Sequence, residues 1–156
     1  MENSNKNKYT NFFLMLGASF VTMYVTMYLN TYAIDHVYFS LTRFYMTCMG
    51  IATMAVIMLL FMLNMYKNKK KNIAILTACF VLFVTSLGLV RTQAPIVGDL
   101  LWMKAMIPHH SIAILTSERA DIQNPEVKKL AEDIIAAQKK EIEQMKLLIK
   151  QLKNEK

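Results

Sequence analysis

Two thioethers and two imidazoles crowd into two helical turns in the run Met103-Lys104-Ala105-Met106-Ile107-Pro108-His109-His110. Thioether sulfur is a soft ligand and imidazole a borderline one, a combination suited to Cu(I) or the chemically similar Ag(I). A second run supplies complementary groups. The series Val127, Ala131, Ile134, Gln138, Glu141, Met145, Leu148, Leu152 steps alternately by four and three and traces one helical seam. A carboxylate inside an apolar seam is costly to desolvate, so Glu141 calls for a cation, a histidine or a metal as partner, and as the lone carboxylate of the set it could tolerate a divalent ion. The bland alternative uses the same residues: Met103, Met106 and Met145 are core, His110 hydrogen-bonds Glu141, and Gln138 fixes register.

These groups need two helices facing each other. Gly98-Asp99 reads as one helix start, and Asn124-Pro125-Glu126 as another, with an N-cap, a first-turn proline and a first-turn acid. Helices of about 99–119 and 125–153 joined so closely form an antiparallel hairpin. At 100° per residue, Asp99, Met103, Met106, His110, Ala113, Ile114 and Ser117 share one face, with His109 at the flank. Pro108 removes a backbone hydrogen bond and makes the phase on either side of it uncertain. Folding the hairpin at Ile122 brings Met103 and Met106 level with Glu141 and Met145, and His110 level with Gln138.

The preceding ninety residues are of another kind. Uncharged runs from Tyr9 to Ile34, Phe44 to Tyr66 and Asn72 to Val90 each meet or approach the roughly 20 residues that cross a bilayer core. We expect three transmembrane helices, about 11–34, 44–66 and 72–90, in a membrane anchor of residues 1–91, then a linker over 92–98 and a hairpin domain over 99–156. The first run is too long for a signal-peptide core, lacks a small-x-small cleavage site and follows a polar stretch, so it is expected to be retained. Lys67, Lys69, Lys70 and Lys71 place the loop between the second and third runs in the cytoplasm, and Lys6 and Lys8 agree. The hairpin then lies outside, in the periplasm or extracellular space of a bacterial-type inner or plasma membrane.

The net charge of +7 does not point to nucleic acid. From Arg91 onward eleven basic residues meet nine acidic ones, so the excess flanks the membrane and no basic stripe remains. Cys48 and Cys79 fall at depths that differ by roughly 10 Å, too far for a disulfide, and read as packing residues. Met54, Met58, Met62 and Met65 read as packing, since no intramembrane charge marks an ion path. Tyr24, Tyr28, Tyr32, Tyr38 and Tyr45 read as an interfacial belt, and His36, beside Asp35, as a solvent-facing loop histidine whose alternative is an auxiliary ligand facing the outer domain.

The stretch from about Asp99 to Leu152 resembles the bacterial domain-of-unknown-function family 305, which is grouped with ferritin-like helical bundles. The resemblance is carried by Asp99, by Met103-x-x-Met106-Ile107-Pro108-His109-His110, and by Leu130-Ala131-x-x-Ile134-Ile135-x-x-Gln138-x-x-Glu141-Ile142-x-x-Met145. Some members are extracytoplasmic copper-binding proteins linked to copper resistance. The resemblance therefore implies a copper ion held by Met103, Met106, His109, His110, Glu141 and Met145. The chain departs from the family at Thr116, where a further methionine is common, and in ending after one hairpin where many members add a second.

The expected architecture is an all-α membrane protein, its outer hairpin completing a four-helix bundle as a homodimer, because a lone hairpin leaves one side of its seam open. Docking on the membrane helices is the alternative. The expected role is sequestration of copper or silver ions. Catalysis is not expected: di-metal oxidases use Glu-x-x-His motifs from facing helices, and neither hairpin histidine has a glutamate three residues before it. A membrane module for self-assembly or partner binding is the other reading.

Overall fold

The computed structural model describes the backbone of residues 2–154 and the side chains of residues 7–154. Lys6, used in the orientation argument, has its side chain outside that range, as do residues 155 and 156 of the hairpin segment. The described residues form five α-helices: α1 (Glu2–Thr26), α2 (Leu41–Phe61), α3 (Lys69–Thr92), α4 (Asp99–Arg119) and α5 (Pro125–Asn154). A 3-10 turn, Ile34–His36, interrupts the segment between α1 and α2. The chain divides into two compact units, one of residues 1–25 and 42–93, the other of residues 26–41 and 94–156.

In the first unit, α2 and α3 are long and apolar enough to cross a bilayer, with mean hydropathies of 2.1 and 2.5. Among the described residues α1 does not join them, so the apolar character of a span is shown for two of the three expected helices. The first helix also starts and stops earlier than its apolar run. It ends at Thr26 and passes into turns, the Leu29 amide donating to the Thr26 carbonyl at 3.1 Å and Thr31 Oγ1 to the Tyr28 carbonyl at 2.8 Å. α1 to α3 pack through Tyr9, Phe12, Ala55, Leu59, Tyr66 and Ile75, with Met58, Met62 and Met65 filling around them. Tyr9 Oη donates to Asn72 Oδ1 at 2.7 Å, and Asn72 Nδ2 donates to the Tyr66 carbonyl at 2.6 Å. A Cβ on Gly50 would lie 2.9 Å from Met23 Sδ, so α1 approaches α2 where a side chain is missing. Most other apolar side chains point outward, including Phe13, Leu14, Val21, Phe61, Phe80 and Val81. Cys48 and Cys79 are unbridged.

In the second unit, α4 and α5 form the expected antiparallel pair. Asn124 Oδ1 accepts from the Glu126 and Val127 amides at 2.9 and 3.2 Å, and so caps α5 as its position predicts. α4 is continuous across Pro108, which is itself buried. The pair closes over Met103, Ile107, Ile114, Ile142, Met145 and Ile149, flanked by Met106, Ile135 and Leu152. Residues 27–40 do not stay apart as an interfacial loop. They fold onto the hairpin: Tyr38 packs against its core, the Tyr32 amide donates to Ser111 Oγ at 2.7 Å, and the Ser40 amide donates to Tyr28 Oη at 3.1 Å. Three of the five belt tyrosines thus serve this unit.

Candidate functional site

Two corrections of phase decide the site. On α5 the interior line is Ala131, Ile135, Gln138, Ile142, Met145, Ile149 and Leu152, not the series through Ile134, Glu141 and Leu148. Both lines step by four and three; they differ in kind at one place, where the observed line carries Ile142 and the other the charged Glu141. Glu141 therefore sits at the seam's edge with its side chain 53% exposed, and the desolvation cost expected of an interior carboxylate does not arise. On α4 the interior line is Met103, Ile107, Ser111 and Ile114, one step round from the expected face.

His110 is consequently an edge residue, although its side chain is only 12% exposed. Its Nδ1 lies 2.9 Å from the Met106 carbonyl, which can only accept, so Nδ1 carries the hydrogen. Its Nε2 lies 2.7 Å from Glu141 Oε2. His110 thus meets Glu141, as the alternative reading of the same residues has it, and not Gln138, so the helices are offset by one turn from the levels expected for a converging site. With carbonyl and carboxylate both accepting, the ring bonds both only when doubly protonated. A cation taking the place of the Nε2 proton would find the lone pair already aimed, because a backbone carbonyl holding the other ring N–H is the usual support of a metal-bound imidazole.

Around this pair the predicted residues divide. Met103 and Met145 lie buried together in the hairpin core, 4% and 6% exposed, and Met106 packs half-buried against them. His109 is exposed, its ring centroid 6.2 Å from that of His110. Five of the six candidates thus gather along one stretch of the hairpin, and His109 stands at its outer margin. One turn along α5 from Glu141, Gln138 Oε1 is buried without a hydrogen-bond partner. Among the described residues no three of His, Cys, Asp and Glu come together.

A second cluster lies beside the first. His36, expected in solvent, is buried: its Nδ1 stands 3.0 Å from Ser111 Oγ, one residue beyond His110. Burial holds its imidazole below the usual histidine value, and the nearby Lys146 charge acts in the same sense. Lys146 Nζ bridges Asp35 Oδ2 at 2.6 Å and Glu143 Oε1 at 2.9 Å. The hydrogen bond from Lys146 holds Asp35 below the ordinary aspartate value. Burial opposes the charge on Lys146, but its two carboxylate partners outweigh this and leave its ammonium above the usual lysine value. Farther along, Lys139 pairs with Glu118 at 2.9 Å and sits 5.3 Å over the Tyr32 ring. None of these contacts was read from sequence. The available signal was Ser111, a small polar residue falling on the interior line of an apolar helix.

The covered and open sides of the hairpin are opposite. Lys139, Lys146 and Ser111 lie under residues 27–40, whereas Trp102, Leu130, Ile134 and Leu148 are exposed on the flank that carries the His110–Glu141 pair.

Residues 98–156 match the family described as a domain of unknown function, DUF305. Over 143 residues the chain is 33% identical to an uncharacterized protein of Acanthamoeba polyphaga mimivirus, an overlap of 90% of this chain and 91% of that one. No solved structure matches.

Proposed function

Since the chain belongs to one family with the mimivirus protein and ends in a DUF305 domain, we propose that it is a membrane-anchored protein whose outward-facing hairpin binds copper-type ions. The observation that carries this reading is His110, whose Nδ1–H is fixed by the Met106 carbonyl while Nε2 faces Glu141 beside Met103, Met106 and Met145. Loading exchanges the Nε2 proton for the ion and draws the thioethers toward it. His109 is the exposed ligand that first meets the ion. The protein stores or passes on its cargo; it is a binder and not a catalyst.

The rest of the reading concerns the anchor and the assembly. α1 is the third crossing, supported by the outward apolar residues Phe13, Leu14, Val21 and Val25. Lys67 and the lysine-rich first turn of α3 face the cytoplasm, and residues 27–40 and the hairpin face the opposite side. The similarity to the mimivirus protein extends across anchor and hairpin alike, so it supports their working together and does not tie the chain to a bacterial membrane. The open flank seats a second copy, completing a four-helix bundle with the His110–Glu141 pair near the contact.

The test is Cu(I) titration of the full chain in detergent against a calibrated competitor chelator. Replacing His109 and His110 together with alanine is expected to weaken binding by about tenfold or more; unchanged affinity sinks the proposal. The exposed Trp102, Leu130, Ile134 and Leu148 also favour a second reading, assembly without a metal role. Self-association indifferent to chelators, with no specific ion uptake, would establish that alternative.

A further inference from the structure

The three helices of the first unit leave a groove of about 340 Å3 between Phe13 and Leu16 of α1, Ile51, Ala52 and Ala55 of α2, and the α3 line from Ala74 to Leu82. The four alanines in this lining, Ala52, Ala55, Ala74 and Ala78, hollow it, and its wall is almost entirely carbon. Its volume falls within the roughly 300–1,000 Å3 of small-molecule sites, but it has none of the convergent polar groups that orient a polar ligand. Polarity begins one turn away, along the same helix. Lys70 and Lys71 precede Ala74 and Ile75 by four residues, which puts them on the same face. Lys67 and Lys69 adjoin them, and all four lysines are exposed.

Two contacts fix this cationic end to the groove. Lys71 Nζ lies 5.1 Å over the ring of Tyr9, which precedes the groove residue Phe13 by one turn of α1. Asn68 Oδ1 accepts from the Lys71 amide at 3.0 Å and caps α3, so the positive end of the helix dipole adds to the lysine charges. From Lys71 to Leu82 is roughly 16 Å along the helix. A carbon-lined groove of that length, with cations at one end, matches an amphiphile carrying a negative head.

We propose that this groove binds an anionic phospholipid of the surrounding bilayer, its acyl chain lying along Ala74, Ala78 and Leu82 and its phosphate held by Lys70 and Lys71. A zwitterionic lipid offers the same tail without the net charge, so headgroup selectivity is the signature of the site. This inference rests on the reading of the first unit as a membrane anchor and is independent of the metal reading.

The experiment is native mass spectrometry of the full chain, delipidated in detergent and given phosphatidylglycerol or phosphatidylcholine of identical acyl chains. One phosphatidylglycerol per chain is expected to be retained in preference to phosphatidylcholine. Lys70→Gln and Lys71→Gln are each expected to reduce that preference about fivefold, and Ala78→Phe, which fills the groove, to remove the bound lipid of both kinds. Because Ala78→Phe alters helix packing, the exposed lysine variants serve as the independent arm. Equal retention of the two lipids by the unaltered protein overturns the proposal. So does a Cys79–Cys79 crosslink between copies that lipid does not suppress, since the groove would then be a contact between chains.

Discussion

At the scale of single residues, His36 and His110 answer to different partners. His110 is held between the Met106 carbonyl and the Glu141 carboxylate. His36 faces a serine hydroxyl, with Asp35, Glu143 and Lys146 around it, and burial favours its neutral ring. A histidine held below its ordinary value of 6.5 when docked takes up a proton more readily when undocked. Docking of residues 27–40 on α4 is therefore strongest above that pH and weakens as pH falls from about 6.5 toward the depressed value. Asp35, held low by Lys146, contributes above its ordinary 3.8 and loses its contribution at still lower pH, in the same direction. Hydrogen exchange at the Tyr32 amide, which donates to Ser111, is the readout. After correction for intrinsic rates, protection is expected to drop between pH 7.5 and 5.5 in the native chain and to change less in His36→Gln. Protection that is flat with pH in the native chain would refute this account.

At the scale of elements, α5 shows how much of a helix periodicity can give. Its existence, its Asn124 cap and its amphipathic character were all legible from spacing. Its phase was not, because two apolar lines one step apart, through Ile134 and Leu148 or through Ile135 and Ile149, satisfy the same alternation of four and three. The consequence is a division of labour between neighbouring isoleucines. Ile142 is 1% exposed in the hairpin core, and Ile142→Ala is expected to cost about 3 kcal/mol in thermal or denaturant unfolding of the second unit. Ile134 is 36% exposed on the open flank, and Ile134→Glu is expected to leave the helical fold intact while weakening self-association in analytical ultracentrifugation. Dimerisation untouched by Ile134→Glu, and likewise by Leu130→Glu, would place the second copy elsewhere. α4 gives the companion lesson: Pro108 did not reset its phase, and the interior line passes from Met103 through Ile107 to Ser111 and Ile114.

At the scale of the whole molecule, the chain order sets a condition on topology. Residues 27–40 bind the hairpin, and α2 and α3 lie between them in sequence, so if both cross the bilayer they return the chain to the side it left. Lysine placement leads independently to the same arrangement. With Cys48 and Cys79 replaced by alanine, a membrane-impermeant maleimide is expected to label Lys150→Cys in intact cells and Lys69→Cys only after permeabilisation. Labelling of both sites in intact cells would overturn it. What the sequence determined by itself was whatever depends on local patterning: apolar runs, caps, the hairpin, the domain family and the gathering of methionine and histidine on one stretch of α4. Whatever depends on which surfaces meet was settled by the packing of one element on another. Glu141 went to the edge, His36 was buried against Ser111, and residues 27–40 became part of the hairpin unit. Spacing fixes a side chain's angle about its own helix axis, but burial is settled by the neighbour that arrives on that side, and residues 75 positions apart in the chain carry no local record of each other.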